Sequence, residues 1–369
     1  MRKTIVFIIA IGIALWASII PALENNHNDA TSSCNFDRAI LYVGGGGPGN
    51  YTTIQGAIND AVNGDTIFVY SGTYNENINI GKRIYLIGEH KDTTTIQGVS
   101  GVNAVVRILS NNVELNGFTI IGNPGGQDGI HVIALMKDNY ISDCIIKNCA
   151  YGIFLQGTSE RTTIFSNHIF DNSFSAIRLQ GSDRNLIEEN EIENNNNWGI
   201  SLESLSKQNT IKNNIISNNY GGIKLSGNSE QNDILENTII SNTLEGLIME
   251  SLSISNTVIG NNITNNFAGI KLTTSGQNII QSNNIEANSM EGLLLETSNS
   301  NIISKNNFIG NKRQAKFRIS QRNSWEENYW DNWIGVKLDM PIFALFPKPI
   351  FGFGIINFDL NPAQQPYII

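Results

Sequence analysis

Apolar and polar positions alternate along this chain under a second, longer period. From Gly129 to Ser320 a small residue followed by an apolar one recurs at Gly129-Ile130, Gly152-Ile153, Ala176-Ile177, Gly199-Ile200, Gly222-Ile223, Gly246-Leu247, Gly269-Ile270 and Gly292-Leu293, a step of 23 or 24 residues that next lands on Ala315. One unit, NLIEENEIENNNNWGISLES from Asn185 to Ser204, holds three short apolar alternations separated by Asn-rich corners and nothing long enough for a helix. A fixed period of this size marks a repeat architecture in which each unit buries its apolar face by stacking on its neighbours. A leucine-rich repeat would show Leu at fixed spacing, whereas the inward positions here are mostly Ile, a strand residue. The pattern predicts an all-β fold: a parallel β-helix with three strands per coil and about eleven coils.

An asparagine stands four residues before each small-apolar step from the second onward: Asn148, Asn172, Asn195, Asn218, Asn242, Asn265, Asn288 and Asn311. Asn tolerates left-handed backbone at a tight corner, and stacked amides can hydrogen-bond from rung to rung. The column therefore predicts an amide ladder along the rod.

The ends read differently. Arg2-Lys3 and an unbroken apolar run from Ile5 to Ile20 have the layout of a secretory signal over residues 1–23, with a retained anchor as the alternative. A polar spacer follows over 24–40. The N-terminal cap is expected over 41–64: a glycine-run turn at Gly44 to Gly47, then a helix with capping-box spacing at Thr52 and Gln55 and apolar positions Ile54, Ala57, Ile58 and Ala61, stopped at Asn63-Gly64. Such a helix would cover the open apolar end of the solenoid. The β-helix is expected over 65–322. From Trp325 the period breaks, and residues 323–369, rich in Trp, Phe, Pro and Ile, read as a C-terminal cap.

Composition narrows the function classes. The net charge is -9, only 15% of residues are charged, and Lys and Arg are scattered, which argues against a nucleic-acid partner. The three cysteines, Cys34, Cys144 and Cys149, do not make a disulfide framework, and the last two are expected as buried thiols, with a local Cys144–Cys149 pairing as the alternative. The four histidines are dispersed and the five methionines do not cluster, so no metal site and no cofactor are expected.

The segment from Tyr51 to Gly98, YTTIQGAINDAVNGDTIFVYSGTYNENINIGKRIYLIGEHKDTTTIQG, resembles the first coils of the pectin-lyase-like superfamily, above all the opening block of pectinesterases. The Asn-rich repeats that follow resemble NosD-type and other secreted right-handed β-helix repeat proteins, and the tail resembles that of archaeal surface β-helix proteins. The resemblance implies a right-handed helix, an exterior location and, in NosD proteins, a tie to copper. In this superfamily sugars bind along an exposed sheet face. The pectinesterase likeness stops before the blocks that hold its catalytic aspartates and arginine. GQDGIHV (Gly126 to Val132) resembles one motif of polygalacturonases and offers Asp128 and His131 as candidates, but the paired aspartates, Gly-His-Gly and Arg-x-Lys of those enzymes are missing.

In each G-I-x-L-x strand the x positions point outward. One outward column reads His131, Phe154, Arg178, Ser201, Lys224, Ile248, Lys271, Leu294, and the next Ile133, Gln156, Gln180, Glu203, Ser226, Glu250, Thr273, Glu296. Gln156, Arg178, Gln180, Glu203, Lys224, Glu250, Lys271 and Glu296 are the candidate carbohydrate-binding residues, and none is assigned a catalytic role. Glu203 and Glu250, or Glu250 and Glu296, two coils apart, would stand roughly 9.6 Å apart, near the separation an inverting glycosidase needs. Basic and acidic residues on alternate coils, with opposite charges meeting diagonally, form the pattern of a solvated charge ladder, the preferred reading over a catalytic pair. The expectation is a secreted or cell-surface monomer that binds carbohydrate or another envelope polymer and touches a membrane only through its N-terminal run. The alternatives are a polysaccharide lyase or hydrolase working on the same face, and a NosD-like accessory factor in metal-centre assembly.

Overall fold

The computed structural model describes residues 38–369 apart from 125, 333–347 and 354–355, so the N-terminal apolar run, the start of the spacer and Cys34 lie outside the described residues. Three sheets run the length of the repeat. Sheet I has thirteen strands from Ile40–Val43 to Ser324–Glu326, sheet II twelve from Gly72–Asn75 to Tyr329–Trp330, and sheet III thirteen from Ile78–Ile80 to Ile356–Asp359. From Thr66–Val69 onward each strand of the repeat pairs in parallel with the strand three places on in the chain, which is one coil later. Registers such as Ile141↔Ile164, Ile146↔Ile169 and Ile153↔Ile177 stack identical residues, and these Ile side chains are fully buried. A hydrophobic column thus fills the centre, and no coil owns a core without its neighbours.

The coils number about thirteen rather than eleven. The small-apolar step is absent from the early coils and from the last one, yet strand pairing holds there. In particular the period does not break at Trp325: Ser324–Glu326 and Tyr329–Trp330 pair in register with Ile302–Ser304 and Asn307–Ile309. Trp325 and Trp330 fill the core end, with Trp330 stacked on Phe308 at 4.4 Å and 9°. Beyond them Lys348–Phe353 pairs in parallel with Arg313–Arg318, and Ile356–Asp359 folds back antiparallel on it.

At the other end a helix, Ile54–Asp60, packs Ile54, Ala57 and Ile58 against the first strands. Its N-cap is Thr53, not Thr52: the Thr53 hydroxyl accepts from Gly56 N–H. The free N–H groups of Ile54 and Gln55 are met by the two oxygens of Glu76 at 2.8 and 2.9 Å, so a carboxylate from the first coil, not Gln55, completes the cap. The glycine run is a turn. Gly44 to Gly46 all have left-handed φ, and a Cβ on Gly45 would lie 2.4 Å from the Tyr70 ring.

The asparagine column needs one correction. The two duties expected of a single residue are divided between neighbours. Left-handed φ falls on Asn148, Asp171, Asn194, Asn218, Ser241, Asn265 and Ala287, while the residue after each points inward. The ladder is therefore Asn172, Asn195, Asn219, Asn242, Asn266, Asn288 and Asn311, with Cys149 at its head. Asn148, Asn218 and Asn265 are corner residues, because the loop into sheet III is one residue shorter in those coils. Two further ladders accompany it, for example Asn185–Asn209–Asn232 and Asn190–Asn214–Asn237. Along these ladders each Asn rung but the last donates its N–H and Nδ2 to the Oδ1 of the next rung, and most give a second Nδ2 hydrogen to a backbone carbonyl of the preceding coil. The corners would otherwise bury unpaired amides at every turn.

Candidate functional site

Sheet III carries the outward columns. Pairing of Asn79, Arg107, His131, Phe154, Arg178, Ser201 and Lys224 coil by coil puts them in one file, continued by Ile248, Lys271, Leu294 and Lys316. Gln156, Gln180 and Glu203 stand in the neighbouring file, as do Glu250, Thr273 and Glu296.

All eight candidate residues lie on this face, and the structure pairs some of them. Arg178 Nη2 and Nε reach one Glu203 oxygen at 2.9 and 3.1 Å. Lys224 Nζ lies 2.8 Å from Glu250. The pattern stops at Lys271, which turns to Glu245 at 3.4 Å instead of Glu296. Gln156 Oε1 meets His131 Nε2 at 3.1 Å. Glu203 and Glu250 are each engaged by a cation, as expected of a charge ladder. These partly exposed pairs contribute about 0–1 kcal/mol each.

The N-terminal third of the face is more concentrated. The Arg178 guanidinium sits 5.0 Å from the ring centroids of both Tyr151 and Phe154 and donates to the Tyr151 hydroxyl at 3.2 Å. Phe154 packs 4.7 Å from the His131 ring. Beneath it Asp128, buried at the start of its strand, brings Oδ2 to 3.4 Å from His131 Nδ1. Burial pushes the Asp128 carboxyl up to about 6, against the Tyr151 N–H bond and the field of Arg178. Burial also lowers the His131 pKa, against its bond to Gln156 and with the help of Arg107. A neutral imidazole beside a carboxyl with a raised pKa is an arrangement suited to proton exchange. Arg107 and His131 open onto a cavity of about 550 Å³ walled by Asn77, Asn79 and the segment from Gly101 to Ala104. Asp128 and His131 were legible as a motif and Phe154 as the outward neighbour of His131; the packing of Tyr151 beside them was not.

A second feature escaped the strand alternation because it lies at the corner before sheet III. Backbone bonds from Leu244 N to Tyr220 O, Phe267 N to Leu244 O and Met290 N to Phe267 O align these residues in a file that begins at Ala150 and Phe174. In the sequence each stands two residues before the small residue of the repeat.

Metal ligation finds little support. His168, Glu191 and Glu193 bring donor atoms within 4.8 Å of one another on sheet II, but His168 is already bonded to Glu193 at 3.1 Å on a partly exposed surface. Cys144 and Cys149 are buried free thiols, each pushed to about 12 by burial, and they head two of the ladders rather than forming a reactive pair.

Comparison with known proteins agrees with this architecture. The family described as right handed beta helix region matches residues 84–239, and that described as periplasmic copper-binding protein (NosD) matches 206–335. The residues matched to the second contain neither His nor Cys, and their two methionines are Met249, buried in the core, and Met290, half-buried at the corner before sheet III, so the donor set does not fit a copper site. A cell surface glycoprotein of Methanothermus fervidus is 33% identical over 109 residues, 29% of this chain and 17% of the relative, so the match spans about a sixth of that protein. Among solved structures the chain resembles the A-modules of the Azotobacter vinelandii mannuronan C-5 epimerases AlgE4 (17% identity, TM-score 0.63, 73% of this chain and 90% of that one) and AlgE6 (18%, 0.64, 74% and 87%). It also resembles the DFA-IIIase of Arthrobacter chlorophenolicus A6 (13%, 0.64, 78% and 94%). At these identities the likeness is one of fold.

Proposed function

We propose that this chain, a right-handed β-helix protein, acts at the cell surface or outside the cell as a non-catalytic binder of carbohydrate or a similar envelope polymer, held along the outer face of sheet III. The observation that carries the reading is the continuous file from Asn79 to Lys224, in which Arg178 lies against two aromatic rings and a carboxylate. The Arg178 guanidinium, held in place by the two rings and Glu203, and the flanking Lys, Glu and Gln side chains can take the hydroxyl and acidic groups of a sugar. The repeat suits a polymer, since each coil offers the same two outward positions at one strand spacing. The apolar N-terminal run, the surface-glycoprotein relative and the periplasmic family description support the exterior location.

A glycan-array screen of the full chain, with each sample assayed afterwards for unsaturated or reducing-sugar products, tests the reading. Binding weakened by Arg178→Ala or Glu250→Ala, without turnover, is expected; binding indifferent to both substitutions would remove the site from this face. The enzymatic alternative is favoured by one observation, the Asp128–His131 pair beside the cavity. If that reading holds, turnover of an acidic polysaccharide appears and is lost in Asp128→Asn. An accessory role in metal-centre assembly has the least support, because the NosD-matched residues lack His and Cys donors.

A further inference from the structure

We propose that the corner stripe of Phe174, Tyr220 and Phe267 is a stacking track for an extended, β-linked pyranose chain lying parallel to the solenoid axis, which grips every second sugar. This rests on the carbohydrate-binding reading, adds a contact line at the corner beside the sheet III face and specifies the polymer.

The stripe is a product of the fold. Counting along the file from Phe174, the coils carry Phe174, Asn197, Tyr220, Leu244, Phe267 and Met290, so an aromatic ring falls on alternate coils. The three rings are 40%, 46% and 47% exposed, while the core residues a few positions on are fully buried. Neighbouring coils stand about 4.8 Å apart, which places successive rings roughly 9.6 Å apart. In an extended β-linked pyranose chain one sugar advances by about one strand spacing, and alternate sugars turn the same face to the same side. The ring spacing therefore matches a disaccharide repeat, and Leu244 lies under the intervening sugar. An α-1,4-linked glucan, which coils, has no such match.

The surroundings suit the same ligand. Next to the stripe stands Lys271–Glu245, whose carboxylate directly follows Leu244, a partly exposed pair able to bond hydroxyl groups at the rim of a stacked ring; Lys224–Glu250 lies farther along the strands. Trp198 lies between the stripe and Lys224, with its ring over Gly221, where any Cβ would lie 2.2 Å from it. A second protein is a poorer occupant. Three rings of about 200 Å² each, less than half exposed, offer under roughly 300 Å², against about 800 Å² per partner in a stable interface.

The test uses the full chain and two soluble probes, cellohexaose and an α-linked maltohexaose, with affinity measured by calorimetry and oligomeric state by sedimentation. Cellohexaose is expected to bind more tightly than maltohexaose, and Tyr220→Ala and Phe267→Ala each to weaken it about tenfold with unchanged circular dichroism. Both rings are nearly half exposed, so truncating either one leaves the buried columns intact. Equal affinity for the two probes, or cellohexaose binding unaltered in the Phe174→Ala, Tyr220→Ala, Phe267→Ala triple variant, overturns the stacking track. If glycans still bind through Arg178 in that triple variant, the broader reading survives the loss of this one. A shift from dimer to monomer in the triple variant, without any change in glycan affinity, would also overturn the track by marking the stripe as a self-association surface.

Discussion

Asn328 donates both its backbone N–H and its Nδ2 to a single oxygen of Asp359, each at 3.0 Å. Asn328 is the last rung of the ladder that passes through Asn190, Asn214 and Asn237, and a ladder of donors pointing one way ends in two hydrogens with no next rung. The C-terminal hairpin supplies the missing acceptor, and Trp330 Nε1 bonds the same oxygen at 3.0 Å. Burial raises the Asp359 pKa, while the Trp330 and Asn328 bonds pull it down.

Replacing Asp359 by Leu leaves three buried donors unpaired and is expected to cost roughly 3–9 kcal/mol, at about 1–3 per unmet group. Asp359→Asn keeps an acceptor oxygen and is expected to cost far less. Chemical denaturation of the two variants checks this; equal losses would show that the ladder does not depend on its terminal acceptor.

The ladder through Asn185 has a gap that can be filled. Thr162 stands where a rung should be, and both Asn139 Nδ2 and Thr162 Oγ1 lack partners among the described residues. Thr162→Asn offers Oδ1 to Asn139 and Nδ2 to Asn185, and is expected to raise stability by about 1–3 kcal/mol. A lower denaturation midpoint would count against this reading of the gap.

Adjacent asparagines give a direct contrast. Asn219 is fully buried and bonded on both sides, whereas Asn218 is an exposed corner residue with φ of 55°. Asn219→Leu should lose on the order of 1–3 kcal/mol; Asn218→Gly should change stability little, since Gly accepts the left-handed corner. Comparable losses from the two would contradict the division of duties at the corner.

Asp128 makes stability depend on pH. Its folded pKa, about 6, lies above the ordinary 3.8, so the fold favours the protonated form. Its contribution is complete below pH 4 and is lost as pH rises toward 6, a change on the order of 2–3 kcal/mol. The difference in melting temperature between wild type and Asp128→Asn should therefore change across that window and be flat above it. A constant difference from pH 4 to 7 would place the carboxyl in water.

Much of the candidate face was legible. Strand alternation alone put Arg178, Lys224, Glu203 and Glu250 on one surface, because period-two alternation within a strand and a fixed step between strands leave no other arrangement. The charge pairs were only partly legible: Lys271 has Glu245 on the coil before it and Glu296 on the coil after, and side-chain reach, not register, selects Glu245. The aromatic corner stripe was missed because it lies outside the strands, although its constant offset from Gly222 and Gly269 was present in the letters.

The solenoid, its three strands per coil and its inward isoleucine columns were readable in the amino-acid letters, since these follow from periods that any stretch of two or three units displays. Tertiary structure decided what depends on one-residue differences between coils. A corner loop shortened by one residue moves the buried amide from Asn218 to Asn219, and only the stacked coils show which of two neighbouring side chains faces the rung above. The same holds for the ends. Trp325, Trp330 and Asp359 read as an aperiodic tail, but closing the last coil requires apolar bulk over an open core and an acceptor for unpaired amides, and those needs arise only once the coils are stacked.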